Sequence, residues 1–230
     1  MQYDIISFIV VLIVITDFLL LGAGWLRASV RIVALQGFAL GLLPLFVNHN
    51  GLTVRLAIIA ILVITLKGIV FPRLLLRSLR EMSSVRAITY YVGPMPSLLI
   101  GVLVMSSSLW WGYVLPLPEQ TGHRFAIPMV FFTIVTGLFL IVARRQALMQ
   151  IIGYLALENG IYAVGVFFAQ SESMLIEIGI LLDVFVGVFI MGIMVFHISR
   201  EFDNIETGQL RTLRDWFKSR KELPGRDFQP

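Results

Sequence analysis

Apolar residues run through this chain in long blocks, and short polar clusters punctuate them. Seven such segments can be drawn, at approximately 3–22, 30–47, 52–77, 92–114, 125–143, 147–170 and 174–198. A helix rising 1.5 Å per residue needs about 20 apolar residues to cross the hydrocarbon core of a bilayer, and these blocks are of that length. Pro44, Pro72, Pro94, Pro96 and Pro128 lie at or near segment ends, where a missing backbone donor does least harm. The connecting stretches are short, which favours sequential antiparallel packing. No long internal repeat is visible. The first apolar block lacks a basic leader and a small-residue cleavage site, so it reads as a retained helix. The pattern predicts an all-α polytopic membrane protein of about seven transmembrane helices, with residues 1–199 in the membrane domain and 200–230 as a polar tail.

Composition agrees. The chain has 230 residues, 58% hydrophobic and 14% charged, where a soluble domain carries about a quarter charged residues. Mean hydropathy is +0.89. A net charge of +4 could suggest nucleic acid as a partner, but the basic residues cluster in alternate loops between apolar blocks. That is a topology signal, and the partner it implies is the lipid bilayer.

Arg27 and Arg31 lie between segments one and two. Arg73, Arg77, Arg80 and Arg86 lie between three and four, and Arg144 and Arg145 between five and six. Arg200, Arg211, Arg214, Lys218, Arg220, Lys221 and Arg226 lie in the tail. All of these share one side of a seven-helix arrangement, and only Arg55 and Arg124 fall on the other. The positive-inside rule then puts the N-terminus outside and the C-terminus in the cytoplasm. Trp110, Trp111 and Tyr113 close segment four on the outer side, and Trp25 opens the first inner loop, as interfacial anchors should. In the tail, Leu210, Leu213, Trp216 and Phe217 fall at helical spacing among basic residues. They predict a short amphipathic helix on the membrane surface or against a partner.

The chain contains no cysteine. That excludes disulfides, thiolate-bound metals, iron–sulfur clusters and covalently attached haem. His49 and His123 fall in outer loops and His197 near the inner end of segment seven, which does not suit a bis-histidine haem. No phosphate-binding loop, dinucleotide fingerprint, serine-nucleophile elbow or zinc-protease motif is present. No cofactor and no catalytic site are expected in this chain.

The candidate chemistry lies in polar residues inside the apolar blocks. A charged side chain at the bilayer centre costs about 2.5–3.5 kcal/mol on insertion scales and marks a functional site by default. Glu158 lies about 12 residues, or about 18 Å, into segment six. Asp183 lies about 10 residues, or about 15 Å, into segment seven from the opposite side. Both sit near the midplane and predict a path for protons or small cations. Asn159 and Tyr162 add hydrogen-bonding capacity beside Glu158, and Glu177 lies nearer the outer surface. Each carboxyl could instead serve only to hydrogen-bond neighbouring helices. Lys67 and Asp17 share a depth toward the cytoplasmic half, which predicts an ion pair between them, either structural or a charge site for proton transfer. Gly153, Gly160, Gly165, Gly179, Gly187 and Gly192 permit close helix approach, and Gly160 and Gly187 are placed to bring the last two helices together. Ser106, Ser107 and Ser108 are expected to hydrogen-bond back to their own helix.

The stretch from Arg144-Arg145 through Ile152-Gly153 to Asn159, followed by Asp183, Gly187 and His197, resembles a known pair of helices. It is similar to the small K-type subunit of respiratory complex I and to the C-type subunit of multisubunit cation/proton antiporters, with 144–199 as the K-type-like pair. The K-type pattern has a glutamate two positions after the glycine matched by Gly153. Here that position is Leu155, and Glu158 falls about one turn onward. Asp183 precedes Gly187 by four residues, as the second K-type glutamate precedes its glycine. With Glu158-Asn159-Gly160, the seven-segment chain resembles the membrane component E family of hydrogenase-4, found in formate hydrogenlyase and related group 4 complexes. The resemblance implies a non-catalytic subunit of a complex in the bacterial inner membrane. Its partners would be antiporter-like membrane subunits and cytoplasmic hydrogenase-like iron–sulfur subunits. A stand-alone small cation/proton transporter and a purely structural anchor are the alternative readings.

Overall fold

A computed structural model describes residues 2–47, 54–81, 90–114 and 125–168, together with Gly187 and Gly192. The chain divides into two compact units, Met1–Gly187 and Val188–Pro230. The second contributes only the helical Gly192 to the described residues. Apart from these two glycines, segment seven, with Asp183 and Glu177, lies outside them, as does the tail.

Among its described residues the first unit is built of helices joined by short turns. Its elements are α1 (Gln2–Gly22), α2 (Leu26–Val47), α3 (Val54–Val63), a π-helical stretch (Ile64–Val70), α4 (Phe71–Glu81), α5 (Pro94–Val114), α6 (Ala126–Ala143) and α7 (Ala147–Phe168). Six spans among the described residues are long and apolar enough to cross a membrane, with α3, the π stretch and α4 forming one of them. They coincide with the first six predicted segments. The third runs further than its predicted end at residue 77. Phe71, Leu75 and Leu79 are buried while Arg73, Arg77 and Arg80 are exposed, so an amphipathic last stretch carries the helix on to Glu81.

Neighbours in sequence pack together: α1 on α2, α2 on α3, α5 on α6 and α6 on α7. Closure comes from α2 on α7 and from α1 on both α5 and α6. Lipid is as apolar as leucine, so close approach and buried polar groups must do much of the work of holding such helices together. The glycines show where. A Cβ at Gly153 would lie 2.9 Å from the Ile141 amide nitrogen, and one at Gly160 would lie 2.6 Å from the Ile134 side chain. A Cβ at Gly137 would strike the Leu157 backbone. The glycines of α7 therefore seat it on α6. The expected approach of the following helix to Gly160 lies outside the described residues. Gly187 lies instead beside Phe71, whose ring would be 3.2 Å from an added Cβ.

Toward the N-terminal end of α1 the core is apolar. It gathers Ile6, Ile9, Ile13, Leu40, Leu43, Val63, Val130 and Val166 from five elements. At the opposite end an arginine holds the connections. Arg144 was expected in a loop beside Arg145, yet only Arg145 is exposed there. Arg144 is fully buried. It donates to the Val92 carbonyl at 2.9 Å and the Leu21 carbonyl at 2.7 Å, and lies 4.6 Å from the centre of the Tyr90 ring. Burial pushes its guanidinium below the ordinary value, and nearby Tyr90 opposes the shift. An antiparallel bridge pairs Tyr90 with Arg144, and the Tyr90 hydroxyl donates to the Ala23 carbonyl at 2.9 Å. The turn after α1, the start of α5 and the turn before α7 thus meet at one end of the bundle, as the predicted parity of the loops requires. Trp25 is exposed at that end, and Trp110, Trp111 and Tyr113 are exposed at the far end of α5.

Candidate functional site: a buried polar layer

Five elements each send one or two polar side chains to a common layer inside the apolar bundle. The layer begins on the π-helical stretch. There the Phe71 amide donates to the Leu66 carbonyl, five residues back. Such one-residue expansions of a helix are frequent at functional sites. Lys67 occupies this stretch and rides directly on α2, because Gly37 leaves room for it. A Cβ at residue 37 would lie 2.7 Å from the Lys67 Cβ.

Lys67 Nζ donates to Glu158 Oε1 at 3.0 Å and to Asn159 Oδ1 at 3.1 Å. It also lies 5.4 Å from the centre of the Tyr162 ring, within reach of a cation–π attraction. Asn159 Nδ2 donates onward to Gln36 Oε1 at 3.1 Å. Gln36 Nε2 donates to Asp17 Oδ1 at 2.8 Å. The other oxygen of that carboxyl, Oδ2, lies 2.6 Å from the Thr133 hydroxyl on α6. The chain of contacts is therefore Glu158–Lys67–Asn159–Gln36–Asp17–Thr133. None of the six residues is more than 4% exposed, so each polar atom must find its partner inside the protein.

The predicted residues separate into three groups. Lys67, Glu158, Asn159 and Tyr162 come together. Asp17 joins the same layer, but not as the partner of Lys67. The expected Lys67–Asp17 ion pair is replaced by Lys67–Glu158, while Asp17 takes the neutral partners Gln36 and Thr133. The physical reason is lateral. Equal depth is necessary for pairing, but α2 packs against both α1 and the π stretch, and its Gln36 binds Asp17 while Asn159 links Gln36 to Lys67. Asp183 and Glu177 lie outside the described residues.

Gln36 and Thr133 were missed from the sequence. Gln36 carried a usable signal, being a long amide in the middle of an apolar block. Thr133 carried little, since a threonine in a membrane helix ordinarily bonds back to its own turn, as Thr16 does to Ile13 at 2.6 Å. Ser106 and Ser107 follow that rule, donating to Val102 and Leu103, each at 2.8 Å. The buried Ser108 hydroxyl does not, having no hydrogen-bond partner. Leu155, at the position of the K-type glutamate, is buried, and the polar layer begins one turn later at Glu158.

Chemically, the layer is a lysine between two acceptors, linked by two amides to a second carboxyl. It can hold and redistribute charge. Among the described residues no cluster of three histidine, aspartate or glutamate side chains could hold a metal.

No family model matches the chain, and no solved structure does so significantly. Curated relatives exist. Hydrogenase-4 component E of Escherichia coli (strain K12) is 30% identical over 122 residues, covering 53% of this chain and 56% of that protein. The Shigella flexneri component E matches equally. The alignment thus spans about half the length of each component E, which marks a related family. An uncharacterized protein of Mycobacterium tuberculosis, Rv0085, is 32% identical over 193 residues, covering 83% of this chain and 87% of that protein. On that extent of likeness, the chain belongs to the family of this mycobacterial protein.

Proposed function

We propose that the chain is a non-catalytic, multi-pass subunit of a hydrogenase-4-like energy-converting complex related to complex I. It sits in the bacterial inner membrane and helps move protons. The observation that carries this reading is the buried Lys67–Glu158 pair, 3.0 Å apart and continuous with a second carboxyl. The relation to hydrogenase-4 component E supplies the setting. A buried cation beside a carboxylate is a pair whose strength changes when a proton arrives. Protonating Glu158 removes the charge that holds Lys67, leaving Lys67 to turn toward Asn159 or toward an acidic group elsewhere in the complex.

In this reading Asp183 and Glu177 extend the path beyond α7. The partners are antiporter-like membrane subunits and cytoplasmic hydrogenase-like iron–sulfur subunits. Redox chemistry belongs to those partners, and this chain binds no cofactor. The N-terminus lies outside and the basic tail in the cytoplasm. Purification from native membranes through a tag on this chain should bring down antiporter-like and iron–sulfur proteins. Recovery of an active homo-oligomer free of them would overturn the assignment.

One observation favours a second reading. All six members of the layer are closed off from solvent, as they would be if they only kept the helices in register. The two readings part on whether proton coupling survives removal of the titrating group.

A further inference from the structure

We infer that the Asp17–Thr133 contact is a proton-binding site distinct from the Lys67–Glu158 pair, with the Thr133 hydroxyl acting as the rotor that accommodates either protonation state. This does not depend on which complex the chain serves.

The first ground is charge. Among the described residues the layer holds one cation, Lys67, and two carboxyl groups, Glu158 and Asp17. If all three were ionised, these three residues together would carry one net negative charge, which a water-excluded interior disfavours strongly. One further proton neutralises it. Glu158 is the carboxyl in direct contact with the cation and has the stronger reason to remain ionised. Asp17 faces two neutral groups, Gln36 and Thr133, so the proton belongs on Asp17. Of the elements packed on α1, α2 contributes Gln36 and α6 contributes Thr133. No cation reaches this carboxyl among the described residues.

The second ground is geometry. Gln36 Nε2 donates to Oδ1 and fixes that oxygen as an acceptor. The proton must therefore sit on Oδ2, 2.6 Å from Thr133 Oγ1. Thr133 Oγ1 also lies 3.3 Å from the Met129 carbonyl of its own helix. With Asp17 protonated, its O–H donates to Thr133 Oγ1, and the threonine hydrogen turns to Met129. With Asp17 ionised, the same hydrogen turns back to Oδ2. Both states satisfy every polar atom of the pair, and only one hydroxyl torsion changes. A threonine in a membrane helix needs only the Met129 carbonyl, and its second contact provides the switch.

The third ground is isolation. Gln36 and Asn159 separate Asp17 from Glu158. A primary amide donates and accepts, but it does not relay a proton as water or a carboxyl does. The link transmits charge state without exchanging protons. Ionising Asp17 favours amides that point their hydrogens toward it, which presents the Asn159 oxygen to Lys67.

Infrared spectroscopy of the full chain in lipid vesicles tests this. At neutral pH the protein should show the C=O stretch of a buried carboxylic acid, downshifted in deuterium oxide. That band should disappear in Asp17→Asn and persist in Lys67→Met with Glu158→Gln, which removes the ion pair without changing the net charge of the layer. In Thr133→Val it should move to higher frequency, as the acid loses its acceptor, and in Thr133→Ser it should stay near its original position. The threonine variants keep the carboxyl, so the test does not rest on Asp17→Asn alone folding correctly. Absence of a buried acid band, its persistence in Asp17→Asn, or its indifference to Thr133→Val would overturn the proposal.

Discussion

Lys67 reaches two acceptors on α7 and an aromatic face, and it does so where water cannot replace any of them. Truncating it takes from the Glu158 carboxylate the cation it faces, whereas neutralising both partners leaves two groups that fit an apolar interior better. Breaking one partner of a buried pair typically costs about 3–5 kcal/mol. Lys67→Met should therefore destabilise the detergent-solubilised protein by about that amount, and Lys67→Met with Glu158→Gln should recover much of it. Thermal unfolding of the single and double variants provides the measurement, and strictly additive losses would show that the two residues are not coupled. At this scale much was legible. The cost of burying charge singles out Lys67, Glu158 and Asp17 by their places inside apolar blocks, and all three lie in the layer. The partner of each was not legible, because depth along a helix is written in the sequence and the lateral order of helices is not. Gln36 shows the gap. It binds Asp17 where Lys67 was expected, yet an uncharged amide draws little notice beside three ionisable groups.

Two features determine how the elements meet, and neither follows from hydrophobic pattern. One is the π-helical stretch Ile64–Val70. Its sequence, Ile-Thr-Leu-Lys-Gly-Ile-Val, reads like any apolar helix, and only packing against Gly37 and Gly41 of α2 gives the expansion its purpose. The other is Arg144. Loop arginines are ordinarily exposed, as the neighbouring Arg145 is, its guanidinium 4.9 Å from the centre of the Tyr91 ring. Arg144 turns inward to bind carbonyls at the end of α1 and before α5. Each hydrogen bond to a charged group contributes about 1.5–3 kcal/mol. Arg144→Met should lower the unfolding temperature and loosen the turn around Tyr90. Hydrogen exchange at the Tyr91 amide, which donates to the Ala143 carbonyl at 3.1 Å, should accelerate. Arg145→Met should do neither. Equal effects from the two substitutions would refute the clamp. The boundaries of the apolar elements, by contrast, were readable to within a few residues, because the bilayer sets their length.

For the whole molecule, the described turns after α1, before α5 and before α7 meet at one end of the bundle, as the alternating loops require. Because the chain has no native cysteine, single cysteines introduced at positions 120 and 146 can be labelled cleanly from either side of a vesicle. They should report opposite faces, with 146 cytoplasmic, and labelling from one side would refute the topology. The largest question at this scale is whether the polar layer moves protons or merely binds helices, and one substitution separates the two. Glu158→Gln keeps size and hydrogen-bonding shape while removing titration. In membrane vesicles carrying the intact complex, electron transfer to soluble acceptors should continue at near the native rate, while the coupled proton movement falls sharply. Full proton coupling in Glu158→Gln, with assembly and electron transfer intact, would contradict the proton-carrying role and leave the layer as structural support.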